Sequence, residues 1–299
     1  MAEDLCLLTV HAHPDDESSK GAATVAKYHA EGVRCVLVCC TGGEEGEILN
    51  PALDTPEILE RIHEVRAEEL ARAAEIIGYD EVVMLGYRDS GMAGSEANLN
   101  PECFAQADMQ EATEQLVKVI RREKPQVMAI YPANQWYYPH PDHIRAHEVA
   151  MAAFHAAAEP GAYPQAGPPW QVLKVYYMMR SRRRMAAIAA KFLELGIEVP
   201  WHHDEDEDSG GGADGIAVPA PEDEVTTEID VTGFSQVRDD ALRAHATQID
   251  PDSPFWFGLP DEAAAELGYL DEYHLAVNLT CSRPPEDDLF SGARERAVL

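Results

Sequence analysis

Leu5-Cys-Leu-Leu-Thr-Val-His-Ala-His-Pro-Asp-Asp-Glu17 begins as an apolar run, Leu5 to Val10, and breaks at once into a polar turn. A short apolar run bounded by a turn reads as a strand buried on both faces. The residues after it predict a helix from about Ser19 to Glu31, closed by Gly32, and then a second strand, Val33 to Cys40, rich in β-branched residues and interrupted only by Arg34. Strand, helix, strand in this order is the unit of a parallel sheet.

Outward from that unit the alternation continues. A helix is predicted from about Glu57 to Ile77, with Ile58, Ile62, Leu70, Ala73 and Ile77 at helical spacing, followed by a strand near Val82 to Leu85. A helix from about Met109 to Glu123 must stop before Pro125, and Val127 to Tyr131 forms the next strand. The loop Pro132 to Pro141 leads into an Ala-rich helix ending at Ala158, and Val172 to Met178 reads as a strand. These elements predict an α/β fold: a Rossmann-like, doubly wound, mostly parallel sheet with helices on both faces, whose ligands bind beyond the carboxyl ends of the strands. Residues 1–180 are expected to form this core. Residues 181–299 are expected to form a smaller C-terminal α+β portion that completes the substrate pocket, with a helix near Ser235 to Ala246 and a strand near His274 to Leu279. Within it, 201–224 carries Asp204-Glu-Asp-Glu-Asp and Gly210-Gly-Gly, too polar to pack, and reads as an exposed or disordered insertion.

Composition narrows the function. Of 299 residues, 45% are apolar and 26% charged, an ordinary globular balance. Lys plus Arg number 23 against 54 Asp plus Glu, a formal charge of −31 that argues against nucleic acid and anionic membranes as partners. No run approaches the roughly 20 apolar residues needed to span a bilayer, and the opening Met-Ala-Glu-Asp lacks a basic leader region, so a cytoplasmic protein acting on a small molecule is expected. Oligomeric state is not legible. Cys6, Cys35, Cys39, Cys40, Cys103 and Cys281 show no Cys-x-x-Cys spacing and read as buried free thiols.

The chemistry concentrates after strands. His13 and Asp16 sit three apart in the turn at Pro14, where short side chains converge, and His140-Pro-Asp-His143 follows another strand of the proposed sheet. Two imidazoles and one carboxylate leave a position open for water, the pattern of a catalytic metal site rather than a structural one. Such a donor set suits zinc or ferrous iron. Isolated, each cluster would read as a surface loop; their matching positions in the fold argue for one site. Asp15 or Asp16, whichever is not a ligand, could take a proton from water acidified by the metal. No Gly-x-Gly-x-x-Gly turn follows the first strand, the acidic Gly42-Gly-Glu-Glu-Gly loop lacks Gly-Lys-Ser/Thr, and no Gly-x-Ser-x-Gly elbow appears, which leaves direct attack by metal-activated water.

Ala12-His-Pro-Asp-Asp-Glu17 with His140-Pro-Asp-His143 resembles the LmbE-like (PIG-L) family of metal-dependent N-acetylglucosaminyl deacetylases and amidases. Lys20-Gly21, Thr41-Gly-Gly-Glu, Gly46-Glu-Ile-Leu-Asn-Pro51 and Asp239-Asp-Ala-Leu-Arg-Ala-His-Ala-Thr-Gln-Ile-Asp-Pro251 are similar to the branch that cleaves mycothiol S-conjugates. The resemblance implies an LmbE-like fold, His13, Asp16 and His143 as metal ligands, Asp15 as general base, His140 stabilising or protonating the tetrahedral intermediate and Tyr138 contacting the oxyanion. It also implies that Arg66, Glu47 and Asp89 bind the hydroxyls of glucosaminyl-inositol. Lys20, read as a first-turn lysine with Glu17 as partner, resembles the amidase branch; the biosynthetic deacetylases have a small polar residue there. Arg66, at the edge of its helix's apolar stripe, is expected to pair with Glu69 or with a carboxylate from the sheet.

One departure stands out. The family's usual Asn-Gly-Gly-Tyr is here Gln135-Trp-Tyr-Tyr138, so Trp136 and Tyr137 form either an apolar wall for an S-linked group or packing without substrate contact. The expected activity is amide cleavage of mycothiol S-conjugates. The alternatives are deacetylation of N-acetylglucosaminyl-inositol and a non-catalytic binding module. His11 reads as a core residue or a support to the site, and one of His245 and His274 as a residue that reaches it. Arg180-Ser-Arg-Arg-Arg184 reads as an anion patch or a solvated helix start.

Overall fold

The computed structural model describes residues 5–135, 138–201 and 224–294. The first strand, β1 (Cys6–His11), is buried along its whole length, as its apolar run predicts. Two short helices follow, α1 (Asp16–Ser19) and α2 (Ala22–Ala30), then β2 (Arg34–Thr41). The single helix expected from Ser19 is thus corrected to two: Lys20 is extended and Gly21 is left-handed at φ 81°, so the chain turns between them. A second expected helix is also split, into α3 (Pro56–Leu59) and α4 (Ile62–Ile77), because Arg61 leaves the helical region. Next come β3 (Glu81–Tyr87), α5 (Met109–Glu123), β4 (Val127–Ile130) and α6 (Pro141–Ala158). After them come β5 (Lys174–Met179) and, in the C-terminal part, α7 (Arg182–Glu194), β6 (Thr227–Asp230), α8 (Ser235–Ala244), α9 (Pro254–Phe257), α10 (Asp261–Leu267) and β7 (Leu270–Asn278). The insertion read at 201–224 lies almost wholly outside the described residues, as do Trp136 and Tyr137.

Among the described residues the strands make one seven-stranded sheet in the order β3-β2-β1-β4-β5-β7-β6. From β3 to β5 neighbours run parallel, and β7 is antiparallel to both β5 and β6. The chain moves outward from β1 to β2 and β3, then returns to β4 on the other side, so the loops after β1 and β4 diverge and open a crevice between them. Side chains alternate across the sheet: Leu8, Val10, Met128 and Ile130 pack under α5 and α6, while Leu7, Cys35, Val127 and Ala129 face α2. No described helix is long and apolar enough to cross a membrane.

Two buried charges tie elements together. The Arg121 guanidinium donates to six carbonyl oxygens, those of Ala156, Ala157, Glu159, Ala162, Tyr163 and Gly167, and so satisfies acceptors at the C-terminal end of α6. On β5, Lys174 donates to Glu286 at 2.8 Å, and Tyr176 donates to the same carboxylate at 2.6 Å. The cysteines differ from expectation at one position. Five are buried and Cys281 is exposed.

Candidate active site

The turn after β1 and the first turn of α6 meet at the crevice. Asp16 Oδ2 accepts the His13 backbone N–H at 3.0 Å and the Tyr131 hydroxyl at 2.7 Å. His13 Nδ1 and His143 Nε2 each lie 3.3 Å from that oxygen. One donor atom from each of the three residues falls within 4.8 Å of the others, and all three are buried. The His143 Nε2 atom is buried without a hydrogen-bond partner among the described residues, an orphan that a cation would satisfy. Its ring is held flat against Tyr131, with centroids 4.4 Å apart.

The other side of His13 explains its orientation. Nε2 faces Asp142 Oδ2 at 3.1 Å, and Asp142 accepts the Ser90 backbone N–H at 2.9 Å together with the Ser90 hydroxyl. A proton on Nε2 therefore leaves the Nδ1 lone pair aimed at Asp16 and His143, the carboxylate-supported imidazole common in metal sites. A second donor set, His13 with Asp89 and His140, is also possible by distance. It would need the His13 nitrogen that Asp142 already occupies. The electrostatics agree with a cation site: burial pushes the His143 imidazole down to about 4, Asp16 partly opposing. Burial works against the Asp16 carboxylate, yet the charges of Lys20 and His143 hold it well below the usual range. Two imidazoles and one carboxylate with an open side fit zinc or ferrous iron.

Asp15 stands beside this set in a strained conformation, φ 106°, that non-glycine residues rarely adopt. Glu17 and Arg66 hold it through three contacts. Its N–H donates to Glu17 Oε2 at 2.9 Å, and the preceding Pro14 carbonyl accepts from Arg66 Nη2 at 2.8 Å, with the Asp15 carboxylate 3.4 Å from the same nitrogen. Glu17 is in turn fixed by the Ser18 hydroxyl and by His245 Nε2, each at 2.6 Å. Burial raises the Asp15 carboxyl to about 6 against the pull of Arg66.

One expected pairing is corrected here and others are resolved. Lys20 bonds Asp16 at 2.5 Å rather than Glu17, because it lies past the end of α1 and not in a first turn. Of the two partners open to Arg66, the structure has the carboxylate from the sheet, Asp15 in the turn after β1, together with the Gly43 carbonyl, while Glu69 accepts the N–H and hydroxyl of Thr247 at 2.8 and 2.7 Å. Gly43, at φ 69°, lies so close to the guanidinium that a Cβ there would collide with it. Of the two C-terminal histidines, His245 reaches the turn through Glu17, whereas His274 bonds the Glu224 carbonyl at 2.7 Å. Arg180–Arg184 resolves as a helix start, with the Ser181 hydroxyl accepting the Arg184 N–H.

His140 caps α6, its Nδ1 accepting the Asp142 N–H at 3.2 Å, which assigns the proton to Nε2. Burial and the neighbouring His13 lower its pKa. Tyr138 is 49% exposed and its ring lies 5.9 Å from that of His140. Asp89 sits 3.6 Å from His13 Nε2 and accepts the Gly91 N–H at 2.8 Å. All ten residues expected at the site, the exposed Glu47 included, line one cavity of about 1410 Å³. Tyr131, Ser90 and Asp142 were not assigned roles from the sequence, and Glu17 only that of a partner to Lys20. The position of Tyr131 at the end of a predicted strand, and that of Asp142 within His140-Pro-Asp-His143, could have signalled one.

Comparison with known proteins agrees with this geometry. The chain is 44% identical to mycothiol S-conjugate amidase of Streptomyces coelicolor, over 99% of this chain and 100% of the relative. It is 41% identical to 1D-myo-inositol 2-acetamido-2-deoxy-alpha-D-glucopyranoside deacetylase of Streptomyces avermitilis, over 97% of each. Among solved structures, N,N'-diacetylchitobiose deacetylase of Pyrococcus horikoshii shares the fold, with a TM-score of 0.61, 18% identity, and coverage of 92% of this chain and 85% of that one. The sequence pattern described as PIG-L, GlcNAc-PI de-N-acetylase, matches residues 8–154, the stretch that contains His13, Asp16 and His143, and the chain belongs to the PIG-L family of hydrolases.

Proposed function

We propose that this protein is a metal-dependent amidase of mycothiol S-conjugates, releasing an N-acetylcysteine S-conjugate and glucosaminyl-inositol. The observation that carries this over the deacetylase reading is Lys20, which lines the cavity beside Asp16. A lysine at that position marks the resemblance to the conjugate-cleaving branch, and the Streptomyces coelicolor amidase is similar over its full length. The similarity to the Streptomyces avermitilis deacetylase keeps deacetylation of N-acetylglucosaminyl-inositol as the second reading.

Zinc, or ferrous iron, held by His13, Asp16 and His143 would supply Lewis acidity at the scissile carbonyl and acidify water. Asp15, at about 6, is ionised at neutral pH and accepts the proton of the attacking water as its oxygen bonds to the carbonyl carbon. Tyr138 and His140 Nε2–H donate hydrogen bonds to the developing oxyanion. The depressed pKa of His140 suits donation of a hydrogen bond better than proton transfer, so Asp15 returns its proton to the nitrogen as the C–N bond breaks. Arg66, Glu47 and Asp89 would hold the polyol.

The test is turnover of a mycothiol S-conjugate and of N-acetylglucosaminyl-inositol, side by side, by protein reconstituted with zinc. The conjugate should be cleaved faster, and Asp15→Ala should lower that rate by about 10²- to 10⁴-fold. Turnover of the acetylated precursor alone would make the protein a deacetylase.

A further inference from the structure

We propose that the end of the cavity remote from the acidic loops is a subsite for an aromatic or bulky apolar substituent on the sulfur of the conjugate. This deepens the amidase reading and rests on it. The sequence Pro254-Phe-Trp-Phe257 forms the four-residue α9, none of whose residues is buried although three are aromatic. Those rings line the cavity that also contains His13 and His143. They are not isolated. Phe192, Trp201, Phe255 and Trp256 form a continuous edge-to-face series, with successive centroids 5.6, 6.0 and 4.6 Å apart. Arginines hold the series from the side: the Arg243 guanidinium lies 3.6 Å from the centre of Phe257 and that of Arg238 lies 5.5 Å from Trp256. An aromatic wall left open to a cavity is apolar surface that a ligand can cover, and each such ring offers about 150–250 Å² of area.

Topology decides which part of the substrate lies there. Across the sheet, the loops after β3 and β2 bring Asp89, Glu45 and Glu47, acceptors suited to hydroxyl groups. The next two strands, β1 and β4, carry the metal donors, and β5 leads into α7, whose Phe192 begins the ring series that reaches α9 through Trp201. The Phe255 ring lies 6.0 Å from the guanidinium of Arg180, the residue directly after β5, which places the wall on the β5 side of the donors. An amide held at the donors with its polyol on the acidic side must direct its acyl part towards β5. In an N-acetylcysteinyl group the sulfur stands three bonds from the scissile carbonyl carbon, and its substituent therefore extends to the rings.

The experiment compares S-benzyl and S-methyl mycothiol as substrates of the zinc-loaded protein. Wild type should prefer S-benzyl by about tenfold or more in kcat/KM, and Trp256→Ala and Phe255→Leu should each lower the S-benzyl value about tenfold more than the S-methyl value. Calorimetry on wild type gives a readout independent of the variants: S-benzyl-N-acetylcysteine should bind at least about tenfold tighter than its S-methyl analogue. Equal kcat/KM and equal affinity for the two would overturn the subsite and leave the amidase reading standing. Cleavage of neither conjugate, with deacetylation of the acetylated precursor intact, would overturn the amidase reading and the subsite with it.

Discussion

His13 belongs by distance to two donor sets, one with Asp16 and His143 and one with Asp89 and His140, and its own hydrogen bond to Asp142 separates them. Metal analysis of purified variants checks this: His143→Ala and Asp16→Asn should lose the bound cation, while His140→Ala and Asp89→Asn should retain close to the wild-type content. The opposite pattern would move the site to the second set. The convergence of His13 and Asp16 was legible, since a tight turn directly after a strand leaves few places for them to point. Their supports were not. Glu17 and His245 are separated by 228 positions, and no local pattern links them. Lys20 was assigned the wrong partner for a related reason: Asp16 and Glu17 both lie within one turn of it, but the Glu17 carboxylate is already taken by the Asp15 N–H, Ser18 and the distant His245, which leaves Asp16 for the lysine.

The long elements of the parallel core announced themselves through their apolar spacing, but α7 was read only as far as its basic start, and β6 and α9, of four residues each, are too short for a period to show. The β5 to C-terminal contact was equally hidden. Lys174 and Glu286 are 112 positions apart and their side chains are 0% and 2% exposed. Lys174→Met should cost about 3–5 kcal/mol in denaturant unfolding by leaving a buried carboxylate unpaired, and Lys174→Met with Glu286→Leu should recover most of that loss. Burial resists the charge on Glu286, but its bonds to Lys174, Ser282 and Tyr176 lower its pKa below the unfolded value. Its contribution to stability is therefore present above about pH 4.3 and disappears as pH falls through the folded value. Acid unfolding of the double variant should lack this component. Arg121→Lys supplies a second check at this scale: an ammonium cannot fork to six carbonyls, and thermal unfolding should occur several degrees lower.

For the whole molecule, one parallel core with an antiparallel extension places every expected site residue on a single cavity. The parallel part was legible because alternation of apolar runs with helical spacing has few other solutions. The joining of β7 to β5 was not, since antiparallel addition over a long intervening stretch leaves no sequence trace. The packed sheet also governs thiol chemistry. Burial pushes Cys6 up to about 12 and raises Cys39 and Cys40 well beyond their ordinary value, while Cys281 is exposed. A thiol reagent at pH 8 should therefore titrate one cysteine quickly in the native protein and the remaining five only after denaturation. The placement of His245 has a longer reach. The cation donors fall between residues 13 and 143, whereas the histidine that steadies Glu17, and through it the Asp15 amide, comes from beyond β6. On the proposed roles, cation affinity and the support of Asp15 are thus separately heritable: selection can retune the second through the surroundings of His245 while His13, Asp16 and His143 stay as they are.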